Sequence, residues 1–182
     1  RMTTTLIVVV VVAIVVVVVV AAALIIRTTR RRAALRAQFG TEYDRTVQAG
    51  GSRREAEREL VNRQDRVEDM DIRPLVPAAR DAYHDQWARV QERFVDTPED
   101  ALSDADQLVR RVMSDRGYET QGYQQRVADL SVGHAGTLEH YRTAHEISVR
   151  AAGKEATTEE LRQAMVHYRA LFEDLLDAPS GH

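Results

Sequence analysis

The chain has 182 residues, with 25 basic against 28 acidic side chains, a formal net charge of −3, and no cysteine. This near-balance excludes a general basic field for nucleic acid. Without cysteine there are no disulfides, no thiol catalysis and no Cys-ligated zinc. Every basic residue except Lys154 and the histidines is arginine, the codon bias of a GC-rich genome rather than a demand of folding.

A lead at residues 1–5 precedes a run at 6–26 that carries no charge, no Pro and no Gly, and is more than half valine. As a helix this run spans about 30 Å, the thickness of a bilayer hydrocarbon core. Valine is a mediocre helix former in water. In lipid every backbone N–H and C=O must be satisfied within the segment, which enforces a helix. At roughly −0.3 kcal/mol each, the valines contribute about −3 kcal/mol to insertion. Arg27, Arg30, Arg31, Arg32 and Arg36 flank the run on its C-terminal side, whereas Arg1 is the basic side chain before it. The positive-inside rule then places the N-terminus outside and the long domain in the cytoplasm, at the plasma membrane. Each arginine near an anionic leaflet adds about 1 kcal/mol of attraction. The alternative is export after cleavage at Ala21-Ala22-Ala23. The length of the run and the arginines behind it argue for an uncleaved anchor.

Beyond the anchor, residues 27–39 continue the helix and Gly40 ends it. Thr41 is placed to cap a short helix that Gly50-Gly51 closes. Ser52 and Glu55 have capping-box spacing and open a helix over 53–70. Its sparse apolar residues, with Arg63 among Ala56, Leu60, Val67 and Met70, suit a solvated helix better than a coiled-coil seam. Residues 71–75 read as an extended link, because the residue before Pro74 avoids the α region. Pro77 then starts a helix on which Tyr83, Trp87, Val90 and Phe94 share a face. That face reads first as core and second as a partner-binding stripe of Tyr83, Trp87 and Phe94. Thr97-Pro98 starts the next helix, with Leu102, Ala105, Val109, Val112 and Met113 buried and Gly117 as the stop. A short helix at about 123–130 and a turn at 131–134 follow. A helix carrying Leu138, Tyr141, Ala144 or His145, and Ile147 ends at Gly153. A capping box of Thr157 and Glu160 opens the last helix, whose stripe is Leu161, Met165, Tyr168, Phe172 and Leu175.

Candidate chemistry is sparse. His140 and His145 point about 140° apart around a helix and no HExxH occurs, so no metal site is expected. Asp129, Ser131 and His134 carry the residue types of a hydrolase triad, but they lack a nucleophile elbow and are too close in sequence. Gly50-Gly51 lacks the lysine and preceding strand of a phosphate loop.

The segments RRAALRAQFGTEYDR, DIRPL, RFVDTPEDAL, RRVMSDRGY, RVADLSVGH and TTEELRQAMVHYRALFEDLL, in that order over residues 30–176, resemble an uncharacterised family of actinobacterial single-pass or secreted helical proteins. The resemblance implies an envelope location and brings no catalytic residue. In place of an expected Asp-His-Pro turn this chain has Gly133-His134-Ala135.

With no run of period two, the sequence reads as all-α: a single N-terminal transmembrane helix and a helical-bundle-like domain of about five to seven helices. The divisions are the lead at 1–5, the transmembrane helix at 6–26, a juxtamembrane basic helix and linker at 27–51, a helical domain at 52–176 and a disordered tail at 177–182. The expected role is a membrane-tethered interaction or scaffold protein, not an enzyme, with no cofactor. Its expected partners are an anionic bilayer and another protein; self-association through lipid is a weak option, and nucleic acid is not a partner. The alternative is a membrane-bound enzyme or small-ligand-binding domain with its site inside the bundle.

Overall fold

The computed structural model describes residues 2–119 and 121–178, with side chains from Val12 onward. All regular structure among them is helical: α1 (Met2–Phe39), α2 (Thr41–Ala49), α3 (Arg53–Glu68), α4 (Pro77–Asp96), α5 (Pro98–Arg116), α6 (Tyr123–Gly133), α7 (Leu138–Ala152) and α8 (Thr158–Asp177). The chain is all-α, and among the described residues seven helices follow the apolar one, the upper end of the expected range. Arg1 and residues 179–182 lie outside the described residues. The part of the tail that is described does not begin at 177, since Asp177 is the last residue of α8 and Ala178 caps it.

The helix ends show which local signals govern. Thr157 and Glu160 close the capping box on α8. Ser52 accepts from the Glu55 amide and opens α3, which runs only to Glu68. Thr41 and Thr97 make no side-chain cap bond: Gly40 is the N-cap of α2, and Pro98 supplies the first turn of α5. Helix α6 continues into the expected turn at 131–134 as far as Gly133, with His134 as its C-cap; Ser131 is buried and its hydroxyl turns back to the Ala128 carbonyl at 2.5 Å. Residues 71–76 carry no regular structure, and Val76, the residue before Pro77, is extended.

The larger core lies among α4, α5, α7 and α8. The stripes on α5 and α8 are wholly buried there, so α8 is covered by α7 on one side and α5 on the other. Trp87 stacks on Phe172 at 4.8 Å between ring centroids. The Tyr83 hydroxyl donates to Asp115 at 2.6 Å. A smaller core gathers Leu35 and Phe39 of α1, Tyr43 of α2 and Leu60 of α3. The juxtamembrane helix expected within 27–51 is the end of α1, which is continuous to Phe39, a side chain fully buried in this core. The α3 face with Ala56 and Leu60 is likewise buried within the chain, against α1, α2 and α6, and forms no seam for a second molecule.

Candidate functional site

Helix α1 has two chemically distinct halves. From Val12 to Ile26 its large apolar side chains are 51% to 67% exposed and touch nothing else in the protein. It is the one helix among the described residues long and apolar enough to cross a membrane, over Val12–Phe39. Beyond Arg27 it enters the domain. Of the five flanking arginines, Arg27, Arg30 and Arg31 are exposed. Arg36 is exposed as well but pairs with Asp44 at 2.8 Å and lies over the Tyr43 ring, and the half-buried Arg32 pairs with Glu57 at 3.1 Å.

Where α2, α3 and α7 meet, Glu42 sits with a side chain only 7% exposed. Arg142 donates to it at 2.7 Å and Arg63 at 3.0 Å, while Arg45 stands 3.9 Å away and pairs with Glu139. The buried carboxylate thus binds α2 to a helix one hundred residues further on. Nearby, Asp129 accepts from Arg66 and Gln125 on one oxygen while its second oxygen has no partner. Burial raises the Asp129 pKa against the lowering effect of Arg66.

The residue types of a triad at Asp129, Ser131 and His134 do not come together. His134 instead holds Asp174 through Nδ1 at 2.8 Å and the Tyr118 hydroxyl through Nε2 at 3.1 Å. Burial raises the Tyr118 pKa. Thr137 also donates to Asp174. Burial pushes the Asp174 carboxyl up, but the bonds from His134 and Thr137 outweigh it and leave its pKa below the usual value. This chain of bonds staples the α6–α7 turn to α8. His134 is only 4% exposed, so it offers no atom to a substrate.

His140 and His167 face each other across the α7–α8 seam, Nδ1 to Nδ1 at 2.8 Å. No group of three or more metal-ligating side chains exists among the described residues.

An open groove of about 760 Å³ runs between α5 and α7. Asp106 of α5 and His145 and Ser148 of α7 line it. Within the core behind them, the buried Tyr168 hydroxyl donates to Asp106 at 3.2 Å and meets the Ser148 hydroxyl at 3.0 Å. Burial first and Asp106 second raise the Tyr168 pKa. His145 stacks on Tyr123 with centroids 3.8 Å apart, and burial lowers its pKa.

The stripe considered for a partner divides. Tyr83 and Trp87 are buried in the larger core. Phe94 is half-buried at the rim of a shallow cleft of about 190 Å³ between α4 and α8. Neither the Glu42 cluster nor the His134–Asp174 bond was legible in the sequence, since the partners lie 21 to 100 positions apart and share no motif. Comparison with protein-family models, with curated proteins and with solved structures finds no match for this chain.

Proposed function

We propose that the protein is a membrane-tethered helical interaction module, anchored by α1 in the plasma membrane with its domain on the cytoplasmic face. One observation carries this reading. From Val12 to Ile26 the apolar half of α1 is bare, while the same helix ends in a buried core through Leu35 and Phe39. A helix that projects exposed valines into water would be an aggregation hazard; in a bilayer the same surface is satisfied. Continuity of α1 into the core means that the anchor holds the domain rigidly rather than on a flexible leash. The arginine excess behind the apolar run supports the cytoplasmic side. A phosphatase active only outside the cytoplasm, fused after His182, is expected to be silent in cells. A reporter active only in the cytoplasm, at the same place, is expected to give signal. The reverse pattern overturns the orientation.

The groove between α5 and α7 favours a second reading, a small-ligand site in the domain. Its size fits a small molecule, and Asp106, His145 and Ser148 line it. Soaking the protein with a fragment library and following His145 and Ser148 by NMR tests this. Binding that maps to other surfaces and leaves these residues unmoved removes the reading.

A further inference from the structure

Among the described residues, the exposed arginines outside the ion pairs include Arg58 of α3, Arg89 of α4 and Arg111 of α5, and a group of five at the end of the apolar stretch of α1 and the start of α3. Arg32, Arg36, Arg45, Arg63, Arg66 and Arg142 are all paired with carboxylates. Among the described residues, Arg27, Arg30 and Arg31 of α1 and Arg53 and Arg54 of α3 make no ion pair, and all five are exposed.

The two groups are far apart in sequence and adjacent in the fold. Arg32 bonds Glu57, and Gln38 bonds Gln64. These pairs are offset by 25 and 26 positions, and Leu35 and Leu60 of the smaller core keep the same offset. A constant offset in one direction means that α1 and α3 run side by side and parallel. Carried back along both helices, it sets Arg53 beside Thr28 and Arg54 beside Thr29. The first turn of α3 therefore stands at the height where α1 leaves its apolar stretch, between Arg27 and Arg30. The acidic neighbour at this end is Glu55, whose carboxylate lies over Gly51.

We propose that the first turn of α3 is a second arm of the membrane interface, in which Arg53 and Arg54 join Arg27, Arg30 and Arg31 in binding the phosphates of an anionic lipid leaflet. This rests on the reading that α1 spans the bilayer. Charge complementarity and the level of the anchor select lipid headgroups as the occupant. Each arginine at an anionic surface brings about a fivefold gain, the equivalent of about 1 kcal/mol. Two contact points rather than one also fix the rotation of the domain about α1, which a single helix crossing the bilayer would leave free.

The chain has no cysteine, so single-site labels report cleanly. Full-length Thr28→Cys, Gly51→Cys and Glu68→Cys variants carry a fluorophore in vesicles of phosphatidylcholine with or without phosphatidylglycerol, with nitroxide quenchers on the lipid headgroups. Gly51 is exposed and a Cβ there meets only the flexible end of Glu55 at 3.4 Å. Position 68 lies about 22 Å further along α3 and serves as the distant reference. In anionic vesicles the probe at 51 is expected to be quenched nearly as strongly as that at 28 and several-fold more than that at 68. Arg53→Gln with Arg54→Gln is expected to drop position 51 toward the level of 68 while position 28 keeps its quenching. Quenching at 28 with none at 51 overturns the second arm and leaves the anchor standing. Undiminished quenching at 51 in the double Gln variant overturns the role of the arginines. No quenching at 28 removes the anchor itself, and the second arm with it.

Discussion

Two residues at helix ends show how backbone conformation and sequence part company. Gly117 follows α5 at φ 100°, and the carbonyl of Asp71 lies where a Cβ would stand, 2.3 Å away. The Tyr118 amide returns to Met113 and the Gly117 amide to Ser114. This is a Schellman motif that needs a left-handed residue. Glycine there satisfies both demands. At the end of α7 the Glu155 amide returns to Arg150 and the Lys154 amide to Ala151, so Lys154 takes the left-handed position at φ 58° and Gly153 sits one place early. Opposite results are expected from two substitutions. Gly117→Ala costs about 3 kcal/mol, since it adds both conformational strain and a clash. Lys154→Gly gains about 0.5–1 kcal/mol by removing the left-handed strain. Urea unfolding of the two variants checks both signs.

At the scale of elements, helices are joined by polar groups as much as by apolar stripes. Glu42 of α2 receives Arg63 of α3 and Arg142 of α7. Removing one member of a buried ion pair leaves the others uncompensated, so Glu42→Gln is expected to cost about 3 kcal/mol. The loss is read as a lower unfolding midpoint. A stability unchanged within error would mean that water screens this cluster. The α7–α8 seam is expected to respond to pH through His167, which faces His140 across it. Burial first and His140 second hold the His167 pKa below its ordinary value. Burial lowers His145 as well. The folded chain therefore takes up protons less readily than the unfolded one. Stability is complete above the unfolded histidine pKa of about 6.5 and is lost as pH falls through it. Unfolding followed between neutral and mildly acid pH is expected to show this loss, and His167→Gln is expected to reduce it. A slope unaltered by the substitution assigns the pH response to other groups.

For the whole molecule, the fate of the apolar stretch decides everything about location. The arginines that follow it and its continuity with a buried core both argue that it stays attached. Cleavage near Ala23 would leave Leu35 and Phe39 in place but strip away the exposed valines. The intact mass recovered from membranes is therefore expected to include the full apolar run. A mature chain beginning near Leu24 would establish export instead.

Several features follow from the sequence alone. The bare apolar half of α1, the stripes of α5 and α8 and the Thr157–Glu160 box depend on residues a few positions apart. Helical periodicity and capping act over that range, so local order carries them. Tertiary structure alone decided which arginines remain free, because Arg32 looks like Arg31 until Glu57 of α3 comes beside it. It also decided that His134 serves Asp174 and not its sequence neighbours Asp129 and Ser131. An ion pair or a buried hydrogen bond is set by which surfaces meet after the helices pack. For the apolar run of α1 no such meeting was needed: exclusion from water is a property of the side chains themselves, wherever the rest of the chain folds.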